Sequence, residues 1–224
     1  MQSAEERNQD TLPVGSLGII AMDSCKNLGE KINKYIVSWR NEREHERKGT
    51  PQLLEYAKDN YLIKTATPRF GSGEAKGVIY ESVRGDDIYI LVDVCNYSIT
   101  YNMNGIVNHM SPDDHFLDLK RIISALGGKA RRITVIMPYL YESRQHKRNG
   151  RESLDCAIFL QELVRMGVEN IITFDAHDPR VQNAIPLNGF DNFMPTYQFI
   201  KALFHHDKSC LLYTSPSPRD TERS

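Results

Sequence analysis

Apolar residues along the chain fall into two patterns. Short dense runs alternate with longer stretches in which apolar positions recur every three or four residues. The dense runs are Leu17–Met22, Tyr61–Ala66, Val78–Val83, Ile88–Asp93, Ile133–Met137 and Asn170–His177. Runs of this length, bounded by Gly, Pro and polar residues, predict strands. Ile88–Asp93 has few polar breaks, which predicts a central strand buried on both faces. Arg84–Asp87 between two runs predicts a hairpin joining Val78–Val83 to Ile88–Asp93, and the polar stretch Asn96–Met110 predicts a loop.

The spaced stretches predict helices. In the first, Leu28, Ile32, Tyr35, Ile36 and Trp39 share a face behind Asp23 or Ser24 as cap. It decays into the mixed-sign run Arg40–Lys48, read as a solvated helix end, and residues 50–60 read as an inserted turn or short helix. In the second, Ser111-Pro112 sets a cap and a first-turn proline ahead of Phe116, Leu119, Ile122, Ile123 and Leu126, and Gly127-Gly128 stops the helix. The third runs Leu154–Met166 and ends at Gly167. The fourth, Thr196–Phe204, follows a lead-in over Asp191–Pro195. Strands alternating with helices predict an α/β fold, a doubly wound and mostly parallel sheet.

Domain organisation follows from what falls outside this alternation. Residues 1–13 read as a flexible leader and residues 14–208 as one domain, its last helix (196–208) cut short. Residues 209–224, with Cys210-Leu-Leu-Tyr-Thr-Ser-Pro-Ser-Pro-Arg-Asp220, match no continuation of the domain. They resemble translated sequencing-adapter read-through, so they are set aside as non-native and the reading frame is expected to be truncated.

Composition narrows the class. A net charge of −1 gives no bulk attraction to nucleic acid or an anionic membrane, so any phosphate preference must be local. The N-terminus has no apolar signal region, and no apolar run approaches the ~18 residues of a spanning helix. Cys25, Cys95, Cys156 and Cys210 are scattered without a CxxC pair, as expected of a cytoplasmic protein without disulfides or zinc.

Candidate chemistry sits at polar strand ends. Tyr139–Arg151 follows the strand Ile133–Met137 and holds Arg144, His146, Lys147, Arg148 and Arg151 within eight positions. In an open parallel sheet, ligands bind where strands end at their carboxyl edge, so this loop is a candidate polyphosphate site. The polar residues 175–182 end another strand on the same edge. Arg69–Lys76 is a further tight turn, with glycines flanking Ser72 and with Phe70 and Glu74 on either side.

These stretches together resemble a known family. Pro138-Tyr-Leu-Tyr-Glu-Ser-Arg-Gln-His-Lys-Arg148 resembles the PY…RQ…K/R segment of ribose-phosphate diphosphokinases, the synthases of 5-phosphoribosyl 1-diphosphate (PRPP). Ile171–His177 resembles their D-L-H strand end, and Arg69–Glu74 their F-S-D-G-E turn. The resemblance covers roughly residues 15–207 and implies the amino-terminal half of such an enzyme, with a phosphoribosyltransferase-type fold. It further implies transfer of diphosphate from MgATP to ribose 5-phosphate, giving PRPP and AMP for nucleotide biosynthesis, in a homo-oligomer. Arg144 and Gln145 would then contact ATP, with Lys147, Arg148 and Arg151 adding positive field. Phe70, Ser72 and Glu74 would take the nucleotide base in a turn that often serves a neighbouring subunit. Asp175, His177 and Asp191 would support Mg²⁺.

The chain departs from that pattern. Ser72 stands where the family has Asp, His146 replaces the Asp after Arg-Gln, and Asp178–Ile185 replaces a Gln- and Phe-rich run. Residues 40–60 and 96–112 read as insertions. The ribose-5-phosphate loop and the mobile loop with a catalytic Lys and Arg have no counterpart, so no catalytic residue is assigned within the chain. Three alternatives stand beside the enzyme reading: a non-catalytic regulatory subunit, a phosphoribosyltransferase, and a nucleic-acid-binding module, the last disfavoured by the charge and the absence of interleaved aromatics.

Overall fold

The computed structural model describes residues 14–46 and 58–206. The expected leader, most of the expected turn at 50–60 and the expected tail lie outside the described residues. In chain order the elements are β1 (Leu17–Ala21), α1 (Lys26–Glu46), β2 (Thr65–Ala66), β3 (Val78–Ile79), β4 (Asp87–Leu91), β5 (Thr100–Met103) and β6 (Ile106–His109). Then follow α2 (Pro112–Leu126), β7 (Arg132–Met137), α3 (Asp155–Arg165), β8 (Asn170–Phe174), β9 (Gly189–Phe193) and α4 (Thr196–His206). The chain divides after Asn192, and α4 is the described helix of a second unit that begins at Phe193.

The main sheet has the order β1-β4-β7-β8-β9. β1, β4, β7 and β8 pair in parallel, with Ile20 opposite Ile90, Ile90 opposite Val135 and Val135 opposite Ile171. Side chains alternate across a strand, and here both faces find partners. Ile88, Ile90, Val135 and Ile171 join Phe116, Leu119, Ile122, Ile123 and Leu126 of α2 and Phe159, Leu160 and Leu163 of α3 in one core. Ile19 and Leu91 face the other way, where Ile32 and Ile36 of α1 pack against them with Tyr61. Helices thus cover both faces, as the doubly wound expectation required. Leu28, Tyr35 and Trp39, expected on the same α1 face, are instead exposed.

Helix α2 starts where the pattern placed it. The Ser111 hydroxyl accepts the Asp114 N–H while the Asp114 carboxylate accepts the Ser111 N–H, and Gly127 closes the helix in the left-handed region at φ 57°. At α1, Asp23–Cys25 form a 3₁₀ turn without a side-chain cap. Ser24 instead accepts the Asp93 N–H through its hydroxyl at 3.0 Å.

Several expectations are corrected. The segments 78–83 and 88–93 form no hairpin. β4 is taken up between β1 and β7, and the two residues of β3 pair with β2. A strand apolar on both faces belongs in the middle of the sheet, which outweighs the local turn at Val83–Asp86. The expected strand Tyr61–Ala66 reduces to a bridge from Leu62 to Ile19 and the short β2. The expected loop 96–110 contains the β5–β6 hairpin, closed by Asn104 (φ 51°) and Gly105 (φ 81°). Asn-Gly is a strong signal for a two-residue hairpin turn. The lead-in to α4 includes a strand, β9.

The fold account predicts a contrast in urea midpoints. Leu119 is 0% and Leu187 96% exposed. Leu119→Ala costs ~2–5 kcal/mol and Leu187→Ala less than ~0.5 kcal/mol; equal losses would contradict the placement of α2 over the sheet.

Candidate functional site

β7 and β8 are neighbours and run in the same direction, so the chain leaves both at the same edge. A cleft of ≈ 410 Å³ opens there, lined by Tyr139, Leu140, Ser143 and Arg144 from one loop and Phe174, Asp175, Ala176 and His177 from the other. Overlapping turns shape the first loop. The Ser143 N–H donates to the Leu140 carbonyl at 3.2 Å and the Gln145 N–H to the Glu142 carbonyl at 2.9 Å, with Glu142 at φ 51°. The Gln145 amide nitrogen donates to the Ser153 carbonyl at 2.8 Å, and its own carbonyl receives the Cys156 N–H at 3.3 Å. Gln145 therefore fastens the loop to the start of α3.

The two loops are tied directly. The His177 N–H donates to the buried Ser143 hydroxyl at 3.0 Å. On the far side the Ala176 N–H donates to the Asn192 side-chain oxygen at 3.0 Å. Immediately before these two anchored residues Asp175 holds φ 47°, a region uncommon for non-glycine residues and one that clusters at functional sites.

The charges around the cleft are unevenly committed. Arg144, Lys147, Arg148 and Arg151 are exposed and make no ion pair within 4.0 Å among the described residues. His146 is half-buried, its Nε2 3.5 Å from Asp178 and its ring 5.1 Å from that of His177. The Asp178 carboxyl is held well below the usual carboxylate range, first by hydrogen bonds from the Arg180 guanidinium and N–H, then by the charges of the Arg180 and His146 side chains. The Glu142 carboxyl is raised, first by burial and then by Asp155 and Asp113, against the pull of Arg144.

A second hollow of ≈ 120 Å³ adjoins the first, sharing Tyr139, Ser143 and Arg144 and adding Cys95, Pro112, Tyr141 and Glu142. Its wall is fixed by Tyr141, which stacks on Phe116 at 4.6 Å and donates to Asp113 at 2.6 Å. Burial, then that bond, pushes its phenol well above the ordinary value.

A larger cavity of ≈ 600 Å³ lies elsewhere, against Leu17, Ile19, Leu91 and Ile136 of the sheet and Ile32 and Ile36 of α1. Its lining is mostly apolar, Arg132 is tied to Asp87, and Arg40 lies over the Tyr61 ring at 4.8 Å. Phosphate chemistry points to the smaller cleft.

The structure therefore gathers Arg144, Asp175 and His177 and leaves other candidates apart. Phe70, Ser72 and Glu74 belong to an exposed turn and Asp191 to an exposed position of β9; none lines the cleft. Among the described residues no three His, Cys, Asp or Glu side chains meet closely enough to hold a metal ion. Asp175, His177 and Asp191 thus form no three-ligand cage. Asn192, not Asp191, reaches Ala176, because neighbouring strand residues point to opposite faces. Sequence reasoning missed Ser143 and Asn192. The Ser143–His177 contact spans 34 positions and leaves no local signal.

Fold and cleft together define a doubly wound α/β domain of the phosphoribosyltransferase type. The chain belongs to the ribose phosphate pyrophosphokinase family: residues 17–167 match the N-terminal domain of ribose phosphate pyrophosphokinase. Arg144 and Gln145 lie inside that match, Asp175 and His177 beyond it. Ribose-phosphate pyrophosphokinase 1 of Schizosaccharomyces pombe is 38% identical over 137 residues, 59% of this chain and 30% of that protein. The Nitrosomonas europaea ribose-phosphate pyrophosphokinase is 26% identical over 167 residues, 73% of this chain and 48% of its own. The crystal structure of phosphoribosylpyrophosphate synthetase from Mycobacterium smegmatis superimposes with a TM-score of 0.62 over 85% of this chain and 52% of its own, at 20% identity, a likeness of fold. The chain spans from about a third to about half the length of these relatives.

The strained backbone at Asp175 yields a prediction. Asp175→Val, with a β-branched side chain in the left-handed region, lowers stability by ~1–2 kcal/mol, while Asp175→Gly holds or raises it. Equal thermal midpoints for the two variants would contradict the assigned backbone conformation.

Proposed function

We propose that the cleft is the triphosphate side of a ribose-phosphate diphosphokinase site, and that the full-length parent transfers diphosphate from MgATP to ribose 5-phosphate, giving PRPP and AMP. The observation that carries this reading is the uncommitted Arg144 guanidinium facing Asp175 and His177 across a cleft at the carboxyl ends of two parallel strands. A guanidinium without a carboxylate partner retains its planar donor fork for phosphate oxygens. Lys147, Arg148 and Arg151 on the same loop add positive field. Gln145 supports ATP binding by holding that loop against α3, and its side-chain oxygen stays available as an acceptor.

The donor set fits Mg²⁺ in part. The exposed Asp175 carboxylate has no hydrogen-bond or ion-pair partner among the described residues, and Mg²⁺ bound to nucleotides takes one or two carboxylates with phosphates and water. Asp175 would hold the ion, while the His177 imidazole suits a phosphate oxygen or a coordinated water better than the hard cation itself. When bound, the ion neutralises charge on the phosphates during transfer. The chain's own part is to orient the triphosphate and hold it in place; the groups for ribose 5-phosphate and for catalysis are assigned to the rest of the parent.

Phe70, Ser72 and Glu74 stand apart from the cleft. This supports a reading in which the turn takes the base in the site of a neighbouring copy within a homo-oligomer. A second reading, a non-catalytic regulatory subunit, draws on the Ser72 hydroxyl donating to Glu74 at 3.0 Å where the family has a further acid. We place the protein in the cytoplasm; Cys25, Cys95 and Cys156 are free, burial pushes Cys25 up to about 11 and Cys156 to about 12, and no helix among the described residues is long and apolar enough to cross a membrane.

Isothermal titration tests the cleft. The chain binds MgATP, and Arg144→Ala weakens binding by about tenfold or more, the loss of a charge-assisted contact of ~1.5–3 kcal/mol, while Lys147→Ala changes it less. Unchanged affinity in Arg144→Ala would overturn the assignment. Residues 1–208 alone form no AMP from ATP and ribose 5-phosphate; AMP formation would show that the catalytic groups lie within the chain.

A further inference from the structure

The turn at Arg69–Glu74 is short, exposed and carries two glycines, so its own residues do little to hold one conformation. Its internal backbone bonds are the Phe70 N–H to the Glu74 carbonyl at 2.7 Å and the Gly73 N–H to the Phe70 carbonyl at 2.9 Å, with Gly73 at φ 90°, and the Ser72 hydroxyl adds a bond to the Glu74 carboxylate. Contacts from a different element surround it. The Asn104 N–H, at the tip of the β5–β6 hairpin, donates to the Gly71 carbonyl at 2.9 Å. The Met103 sulfur lies against Gly73 so closely that a Cβ there would sit 2.8 Å from it.

Arg69 joins these parts. Its guanidinium donates to the Gly73 carbonyl at 3.4 Å, lies over the Tyr101 ring of β5 at 4.6 Å and pairs with Asp118 of α2 at 2.9 Å. Asp118 is 3% exposed, is also bonded by Arg121 at 2.6 Å, and precedes Leu119 in the core. The contacts run from the turn through one half-buried cation to helix α2. The hairpin lies within residues 96–112, which read as an insertion against the family pattern, and Ser72 stands in the turn where that pattern has an acid.

We propose that the β5–β6 hairpin is a brace that fixes the Phe70–Glu74 turn for recognition of the nucleotide base, with Arg69, Tyr101 and Met103 as positioning residues. The inference rests on the turn being the base side of the proposed nucleotide site. The brace acts on the base alone and leaves the triphosphate cleft untouched.

Comparison of two ligands separates these effects. MgATP and magnesium tripolyphosphate are titrated into the full chain and into Tyr101→Ala and Met103→Ala. Both variants lose about tenfold in MgATP affinity, the scale of one base–aromatic stack, and keep tripolyphosphate affinity within about twofold. Unchanged MgATP affinity, or an equal loss of both ligands, overturns the brace. An unsubstituted chain that binds neither ligand defeats the reading of the cleft instead. Hydrogen exchange in the ligand-free chain then still tests the brace: the Phe70 and Gly73 amides exchange at least about tenfold faster in both variants, and unchanged protection overturns it.

Discussion

The cleft depends on one backbone donor. The His177 N–H finds no ladder partner once β8 has ended and is satisfied by the Ser143 hydroxyl from the neighbouring loop. Ser143, the acceptor, is buried, so this bond ties the second loop to a fixed point of the first and sets how the two meet. It is possible only because β7 and β8 pair in parallel with Met137 opposite Thr173, which brings both chain exits to one edge. Asp175 comes immediately before Ala176 and His177, whose N–H groups are anchored on Asn192 and Ser143, and it takes the left-handed turn that leads the chain from β8 into those contacts.

Charge is distributed on the same logic. Asp175 apart, the acidic groups around the cleft are already engaged. Asp178 is bonded to Arg180, Asp113 receives the Tyr141 hydroxyl, and Asp114 closes the α2 cap. Glu142 is drawn towards its neutral form by burial beside Asp155 and Asp113. Arg144, Lys147, Arg148 and Arg151 are left without such partners among the described residues, so the local field is positive although the chain as a whole is near neutral. An anion is the species that such an edge favours.

Much of this was legible in the chain. Dense apolar runs located the strands of the parallel core because both of its faces are buried. The α2 start was legible because its cap is local: Ser111 and Asp114 are three positions apart. The basic strand-end loop was legible because its residues are contiguous. Other features were hidden for physical reasons. Arg84–Asp87 looks like a hairpin corner, but the partner of β4 is chosen by burial on both faces, a tertiary effect. The Asn104-Gly105 turn was present as a signal and was lost within a polar stretch. The contacts of Ser143 with His177, Asn192 with Ala176, and Arg69 with Asp118 all join positions distant in sequence. No spacing rule announces them.

The most direct measurement is a crystal structure of the chain with Mg²⁺ and a non-hydrolysable ATP analogue. The account places the triphosphate between the ends of β7 and β8, with the Arg144 guanidinium on its oxygens and the Asp175 carboxylate on the ion. A nucleotide seated instead in the apolar cavity between α1 and the sheet, or one whose phosphates avoid Arg144, would contradict it.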